Sequence, residues 1–371
     1  MSLLASLFGT KQDVRTLELK RLKSVATSLG RSEAMPELKG HTADEQIHLL
    51  NRYLGSRLAG CPARDRAMVQ SKFMAADRIL PREVWATQSP DISPAAQSVI
   101  ETGCADLGRS LSADQVQEVH AHLQTKPVLL CHVPDISDKS VASLADVPAD
   151  ENYATYEFLD LWSSPHLLEF AGQDRLLDLA QAYLGCTPTL YSFNAFWSFP
   201  NRQAHPYSQL FHRDWEDFRS LAVFTLLTPV DTPEEGAHYY VERSHTVERF
   251  EPILRERGVG EVDVQSLSGR DNRVIAPVAM KLFGDGARRF EGPAGSSFCG
   301  DGYGLHRAVV PRSRPRLLLW FRYGNFFNEA MYTMPLRGAT RAAAERVLAR
   351  IPDTPRHRYV FRHMAKALSA V

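Results

Sequence analysis

Four side chains in the second half of this 371-residue chain have the types and the spacing to do chemistry together. In "FHRDW" (211–215), one residue separates His212 from Asp214, so on an extended segment both leave the same face and can share one small ion. Taken alone, that tripeptide reads as an ordinary polar strand start. Further on, "GSSFCGDGYGLHRAVVPRSRPRLLLWFRYG" (295–324) contains a strand, a Gly-rich turn that delivers His306, and then Arg316 at the head of the apolar run "LLLWF". A lone guanidinium opening an apolar strand is costly unless an anion meets it. Two neutral imidazoles and one carboxylate, with coordination positions left open, form the ligand set of a non-haem ferrous centre. An arginine fork beside such a centre suits the distal carboxylate of 2-oxoglutarate, whose keto-acid end can chelate the metal.

Three pieces occur in order: "LFHRDW", "TLLTPVDTPEEGAHYYVERSH" (225–245) and "GDGYGLHRAVVPRSRPRLLLWF" (300–321). Together they resemble the phytanoyl-CoA dioxygenase-like branch of the Fe(II)/2-oxoglutarate-dependent oxygenases, over roughly residues 112–325. The resemblance implies that His212, Asp214 and His306 are the catalytic metal ligands and that Arg316 anchors 2-oxoglutarate. It implies Fe(II) as cofactor, 2-oxoglutarate as co-substrate and dioxygen as oxidant. Hydroxylation or another oxidation of a C–H bond in a small biosynthetic molecule would release succinate and CO2. The fold implied is a double-stranded β-helix, a cupin-like jelly roll: a mainly β (α+β) core with flanking helices and a helical N-terminal region. Asp214 stands where the related halogenases have a small residue, which favours oxygen transfer or desaturation. Arg312 and Arg314 also follow His306, and Arg316 is preferred because it alone begins the apolar strand. The stretch between Ser244 and Gly295 is poorly matched, and residues 1–100 are not matched.

Further candidates surround these four. Trp197 and Thr225 lie on strands expected to line the barrel, where they either contact 2-oxoglutarate or pack the core. Trp215 and Tyr303 flank the ligands and either shape a substrate pocket or pack at the barrel mouth. His205, His238 and His245 lie near the motifs; His245 reads as part of a turn, and His238 as a hydrogen-bonded rather than a metal-bound residue. A rival reading is a cupin-like metal- or anion-binding or sensing protein without oxidative activity. A zinc or manganese hydrolase or isomerase built on the same three ligands leaves Arg316 unexplained.

The elements that must position these residues are legible in part. Residues 1–100 read as a helical extension, with stripes at Val14, Leu17, Leu22, Val25, Ala26 and Leu29, at Ile47, Leu50, Leu54 and Leu58, and over 64–80 before Pro81. These stripes either pack internally or form a docking surface. "QSPDISP" (88–94) is the candidate boundary, and residues 101–371 form the jelly-roll domain with C-terminal helices. Ser112 with Gln115 reads as a capping box, Asp174 as the cap of "RLLDLAQAYL", and Gly185 as its end. "KPVLLCHV" (126–133) and "TLYSFNAFWSF" (189–199) read as strands, the second half-buried, and strand-like runs follow at 221–230, 237–242, 279–284, 296–299 and 316–323. Many short strands after a helical prelude predict a double-sheet β-fold.

Composition narrows the partners. Lys plus Arg and Asp plus Glu each total 43, so the global charge calls for neither nucleic acid nor an anionic membrane, and a small-molecule substrate is expected. The oligomeric state is not written in the sequence. Five dispersed cysteines form no CxxC, and the absence of a signal-like start or a long apolar span predicts a soluble, cytoplasmic protein.

Overall fold

In the computed structural model two antiparallel sheets lie face to face, with helices covering the outer side of the larger one. The structure describes residues 93–132, 135–185, 187–200, 210–214, 217, 219–261, 267, 276–283, 286–324, 336 and 338–371, and scattered positions between 19 and 53. Of the expected N-terminal stripes, Leu22, Ala26 and Leu50 are on described helical positions and are buried. The 64–80 stripe and most of the 88–94 boundary lie outside the described residues.

Helix α1 (Ser93–Thr102) leads into β1 (Cys104–Arg109), and α2 (Ala113–Leu123) starts at the capping box read from Ser112 and Gln115. Strands β2 (Val128–His132), β3 (Asp135–Val141) and β4 (Tyr153–Thr155) precede helices α3 (Phe158–Ser163), α4 (Leu167–Ala171) and α5 (Asp174–Leu184). Asp174 does not cap α5. Gln173 occupies that position, and Asp174 is the first helical residue, where its carboxylate faces the positive helix end and lies 3.5 Å from Arg356. Gly185 ends α5 at φ 74°, as its type and position predict.

The remaining elements are β5 (Thr189–Ser198), β6 (Ser220–Leu226), β7 (His238–Val241), α6 (Val247–Glu256), α7 (Ala276–Phe283), β8 (Ala287–Phe290), β9 (Ser296–Asp301), β10 (His306–Ala308), β11 (Arg316–Gly324), α8 (Arg341–Leu348), α9 (Pro355–Val360) and α10 (Arg362–Leu368). The larger sheet runs β1-β9-β6-β11-β5-β4-β2-β3, and the smaller runs β10-β7-β8 and is extended by an isolated bridge between His212 and His306. From β5 onward the chain alternates between sheets: β5 large, 210–214 small, β6 large, β7 and β8 small, β9 large, β10 small, β11 large. That winding is the double-stranded β-helix form of the jelly roll.

Register decides what each face sees. Arg316 pairs with Ser198 and Leu317 with Trp197, so Arg316, Leu318, Trp320 and Arg322 share one face with Ser198, Phe196 and Asn194. That face turns inward, and Leu318, Phe224 and Phe298 close against Tyr240 and Phe290 of the smaller sheet. The opposite face, with Leu317, Leu319 and Phe321, packs under the helices alongside Leu177, Leu179 and Met364. The expected half-buried character of β5 therefore gives way to burial along nearly its whole length, because both faces are covered.

The strand expected at 279–284 is helix α7. Ala279 and Phe283, four residues apart, are buried while Val278 and Met280 are exposed, a helical pattern that a short apolar run conceals. Helices α6 and α7 pack on Phe211, Val241 and Leu305, so the stretch that the family pattern did not match backs the smaller sheet.

Candidate metal centre

The three proposed ligands come from two adjacent backbone ribbons. His212 N donates to His306 O at 2.9 Å and His306 N returns the bond to His212 O at 3.0 Å, which puts both imidazoles on one face. Asp214 N donates to Gly302 O at 2.7 Å, so the turn that delivers His306 also fixes the carboxylate's backbone. A Cβ on Gly302 would meet Asp214 Cβ at 3.2 Å, and glycine is what lets the two segments approach.

Side-chain geometry follows. His212 Nδ1 is 2.8 Å from Leu210 O, and His306 Nδ1 is 2.8 Å from Gly304 O. A carbonyl only accepts, so each Nδ1 carries the proton and each Nε2 keeps its lone pair for a metal. His212 Nε2 lies 3.8 Å from Asp214 Oδ1, and His306 Nε2 lies 3.6 Å from Asp214 Oδ2. One donor atom from each residue falls within 4.8 Å of the others. Donors about 2.1 Å from a shared ion at right angles lie about 3 Å apart, so each histidine–aspartate separation is within about 1 Å of what a shared ion would impose.

Burial pushes the Asp214 carboxyl up, but the Arg322 guanidinium outweighs it, together with a hydrogen bond and positive charge from His306 and charge from His212. The balance holds Asp214 well below the usual carboxylate range, and Arg322 Nη2 sits 2.8 Å from Oδ2. His238 stacks on His306 with ring centroids 5.5 Å apart and is not part of the ligand cluster. Burial first, then the charges of His306 and Arg316, hold its pKa well below 6.5 and keep it neutral. Its Nδ1 has no partner among the described residues, so the hydrogen bond expected for this histidine is not made there.

Arg316 opens β11 on the inner face and is buried. Its Nη1 donates to Gly236 O and its Nη2 to Ser198 Oγ at 3.1 Å, while Nε has no partner among the described residues. No described carboxylate forms an ion pair with it, and burial pulls its pKa down to about 10. Gly236 sits at φ 105°, and a Cβ there would lie 2.9 Å from Arg316 Cδ, so that turn is glycine for two reasons. Arg314 instead binds Asp231 and Glu235 at 2.8 and 2.7 Å with its side chain 42% exposed, and Arg312 is exposed. Of these three arginines, only Arg316 is buried without an acidic partner.

Two candidates for the co-substrate pocket need correcting. Trp197 pairs with Leu317 and Thr225 with Leu319, so both point to the helix-covered face, away from the three ligands. Trp197 Nε1 donates to Tyr156 Oη at 2.9 Å, and Thr225 Oγ1 bonds Ser297 Oγ at 2.7 Å. They occupy barrel strands, as read, but the parity of the register sends them outward. Tyr303 is buried, its carbonyl accepting from Arg213 Nη1 and its ring 5.0 Å from that guanidinium. It therefore clamps Arg213, the residue between the first two ligands, which also donates to Ser244 O at 2.6 Å. His245 sits in the turn, its Nε2 3.3 Å from Ile100 O. Trp215 and His205 lie outside the described residues.

Sequence reasoning missed Arg322. Its signal was the alternation itself, since six residues beyond Arg316 on one strand is the same face.

No family model matches the chain, and no curated protein matches it. Among solved structures, the chain is similar to the non-heme alpha-ketoglutarate-dependent carbocyclase SnoK from nogalamycin biosynthesis, at 17% identity and TM-score 0.39, covering 64% of this chain and 83% of that one. EvdO2 from Micromonospora carbonacea var. aurantiaca, complexed with 2-oxoglutarate, is similar at 19% identity and TM-score 0.40, covering 64% of this chain and 92% of that one. EctD from S. alaskensis is similar at 17% identity and TM-score 0.41, covering 65% and 79%. Likeness at this level fixes neither fold nor activity, and both rest on the topology and side-chain geometry above.

Proposed function

We propose that this chain is a non-haem Fe(II)- and 2-oxoglutarate-dependent dioxygenase that oxidises an unactivated C–H bond of a small molecule in a biosynthetic pathway, releasing succinate and CO2. One observation carries the reading. Two imidazoles whose Nδ1 protons face backbone carbonyls and one carboxylate come within 4.8 Å of one another, and on the facing inner wall of the same jelly roll a buried arginine has no acidic partner among the described residues. The donor set suits ferrous iron, and a buried guanidinium with an uncommitted Nε–H suits a carboxylate. A metal-only binding protein has no use for that buried charge.

His212, Asp214 and His306 would hold the iron, and Arg316 with Ser198 would take the distal carboxylate of 2-oxoglutarate. His238, neutral and stacked beside His306, offers a further polar atom to the same keto acid. Once bound, the metal and the keto acid supply activation of dioxygen coupled to loss of CO2. The protein's own share is to pin both imidazole tautomers, to keep Asp214 ionised, and to exclude water with the apolar inner face of Leu318, Phe224 and Phe298. On this reading residues 101–371 form the oxygenase domain and 1–100 a helical extension. No described helix is long and apolar enough to cross a membrane.

The test is anaerobic addition of Fe(II) and then 2-oxoglutarate to metal-free protein, with His212→Ala alongside. A visible charge-transfer band in the parent and none in the variant is the expected outcome. A parent that gives no band, or that never converts 2-oxoglutarate to succinate in air, refutes the proposal.

A further inference from the structure

Resting on the iron-site reading above, we propose that Arg322 is a positioning residue that holds Asp214 to the metal through a single oxygen and so sets how many coordination positions stay open. Arg322 stands on the larger sheet and Asp214 two residues past the bridge that joins His212 to the smaller one, and facing sheets lie about 10 Å apart, a gap the long arginine side chain bridges. The residues beside it in register are small, Ser192 on β5 and Ala222 on β6, which leaves room for the guanidinium to cross. Its Nη2 donates to Asp214 Oδ2 at 2.8 Å, with the two side chains only 13% and 19% exposed. Two residues back on the same face, the Trp320 ring lies 6.0 Å from the guanidinium carbon and stacks on Phe196 at 4.7 Å and 9°. The guanidinium is thus fixed by a column of two rings on one side and a carboxylate on the other.

The consequence is a division of labour between two oxygens. Oδ2 accepts from Arg322 and lies 3.6 Å from His306 Nε2, whereas no described donor engages Oδ1, which faces His212 Nε2 at 3.8 Å. A ferrous ion takes about six ligands in such a site. Two imidazoles and one carboxylate oxygen would use three positions and leave the others for the co-substrates. A carboxylate that bound through both oxygens would remove a position that the co-substrates need. Arg322 blocks that mode by occupying Oδ2.

Co(II) is the probe, because its visible spectrum reports coordination number without turnover. Apo-protein, Arg322→Met, Arg322→Lys and Arg316→Met are each titrated with Co(II) alone and then with 2-oxoglutarate, with melting temperatures recorded. Arg322→Met should bind Co(II) at least as tightly as the parent and show an altered spectrum before any keto acid is added. It should then bind 2-oxoglutarate about tenfold more weakly or worse. Arg322→Lys, which keeps one donor, should recover part of both effects. Arg316→Met should lose 2-oxoglutarate with an unaltered Co(II) spectrum. An Arg322→Met spectrum and keto-acid affinity equal to the parent's overturns the inference, as does loss of Co(II) affinity together with melting temperature in both Arg322 variants. A parent that takes up no Co(II) overturns the site reading itself and the inference with it.

Discussion

Arg316→Met separates the binding of 2-oxoglutarate from the stability of the fold. The guanidinium is buried without a described carboxylate beside it, and burial lowers its pKa from 12.5 to about 10. At about 1.4 kcal/mol per pH unit, keeping the group charged costs on the order of 3 kcal/mol. Against this, the guanidinium satisfies Gly236 O and Ser198 Oγ, and stripping one such buried partner costs about 1–3 kcal/mol. The two effects are of similar size, so Arg316→Met, which keeps most of the apolar stem, should leave the apo-protein's stability unchanged within about 1–2 kcal/mol or slightly raised. The co-substrate should respond quite differently. Loss of a two-point charge-assisted contact to a carboxylate, at about 1.5–3 kcal/mol per hydrogen bond, predicts at least about a hundredfold fall in 2-oxoglutarate affinity. Denaturant unfolding of the metal-free proteins, paired with calorimetric titration of 2-oxoglutarate into the Co(II) forms, measures both. In the parent, 2-oxoglutarate at a hundred times its Kd should add about 2.7 kcal/mol of stability, and in the variant at that same concentration almost none. A variant that binds 2-oxoglutarate within about threefold of the parent, or that loses more than about 3 kcal/mol of stability without its ligand, refutes the reasoning.

Trp197→Phe should leave 2-oxoglutarate affinity unchanged and cost about 1 kcal/mol of stability by removing the donor to Tyr156 Oη, as titration and denaturant melts on the same sample would check. Gly304→Ala should destabilise the fold by about 1–3 kcal/mol or prevent metal uptake, because a Cβ there would overlap the Tyr240 hydroxyl in the turn whose carbonyl pins His306; thermal melts and Co(II) titration report the two effects. Cys104, Cys131 and Cys299 should resist a thiol reagent in the native state at pH 8 and react once denatured. All three are buried; desolvation raises the first two thiols to about 12 and moves Cys299 in the same direction, and peptide mapping of the labelled protein would check each.

Local chemistry made much of the site legible in the sequence. Ser112 and Gln115 cap a helix because their side chains reach only each other's backbone, and Gly185 ends one because its conformation excludes most other residues. His212 and Asp214 share a face because one residue lies between them, and Arg316 is buried because the run after it is apolar. Those are properties of a few adjacent residues. Whether His306 reaches the same point, whether Trp197 looks inward or outward, and which oxygen of Asp214 meets Arg322 all depend on pairings between segments up to about 120 residues apart. A one-residue slip of β5 against β11 would turn Trp197 toward the three candidate ligands, and the same slip taken by β11 would turn Arg316 toward the helices. The short apolar run at 279–284 shows the same limit, since Ala279 and Phe283 became a helical stripe only once the smaller sheet offered them a surface to cover. Sequence alone named the candidate ligands. Tertiary structure decided which faces meet, because strand parity takes one bit from register and register is fixed only when both sheets close on a common core.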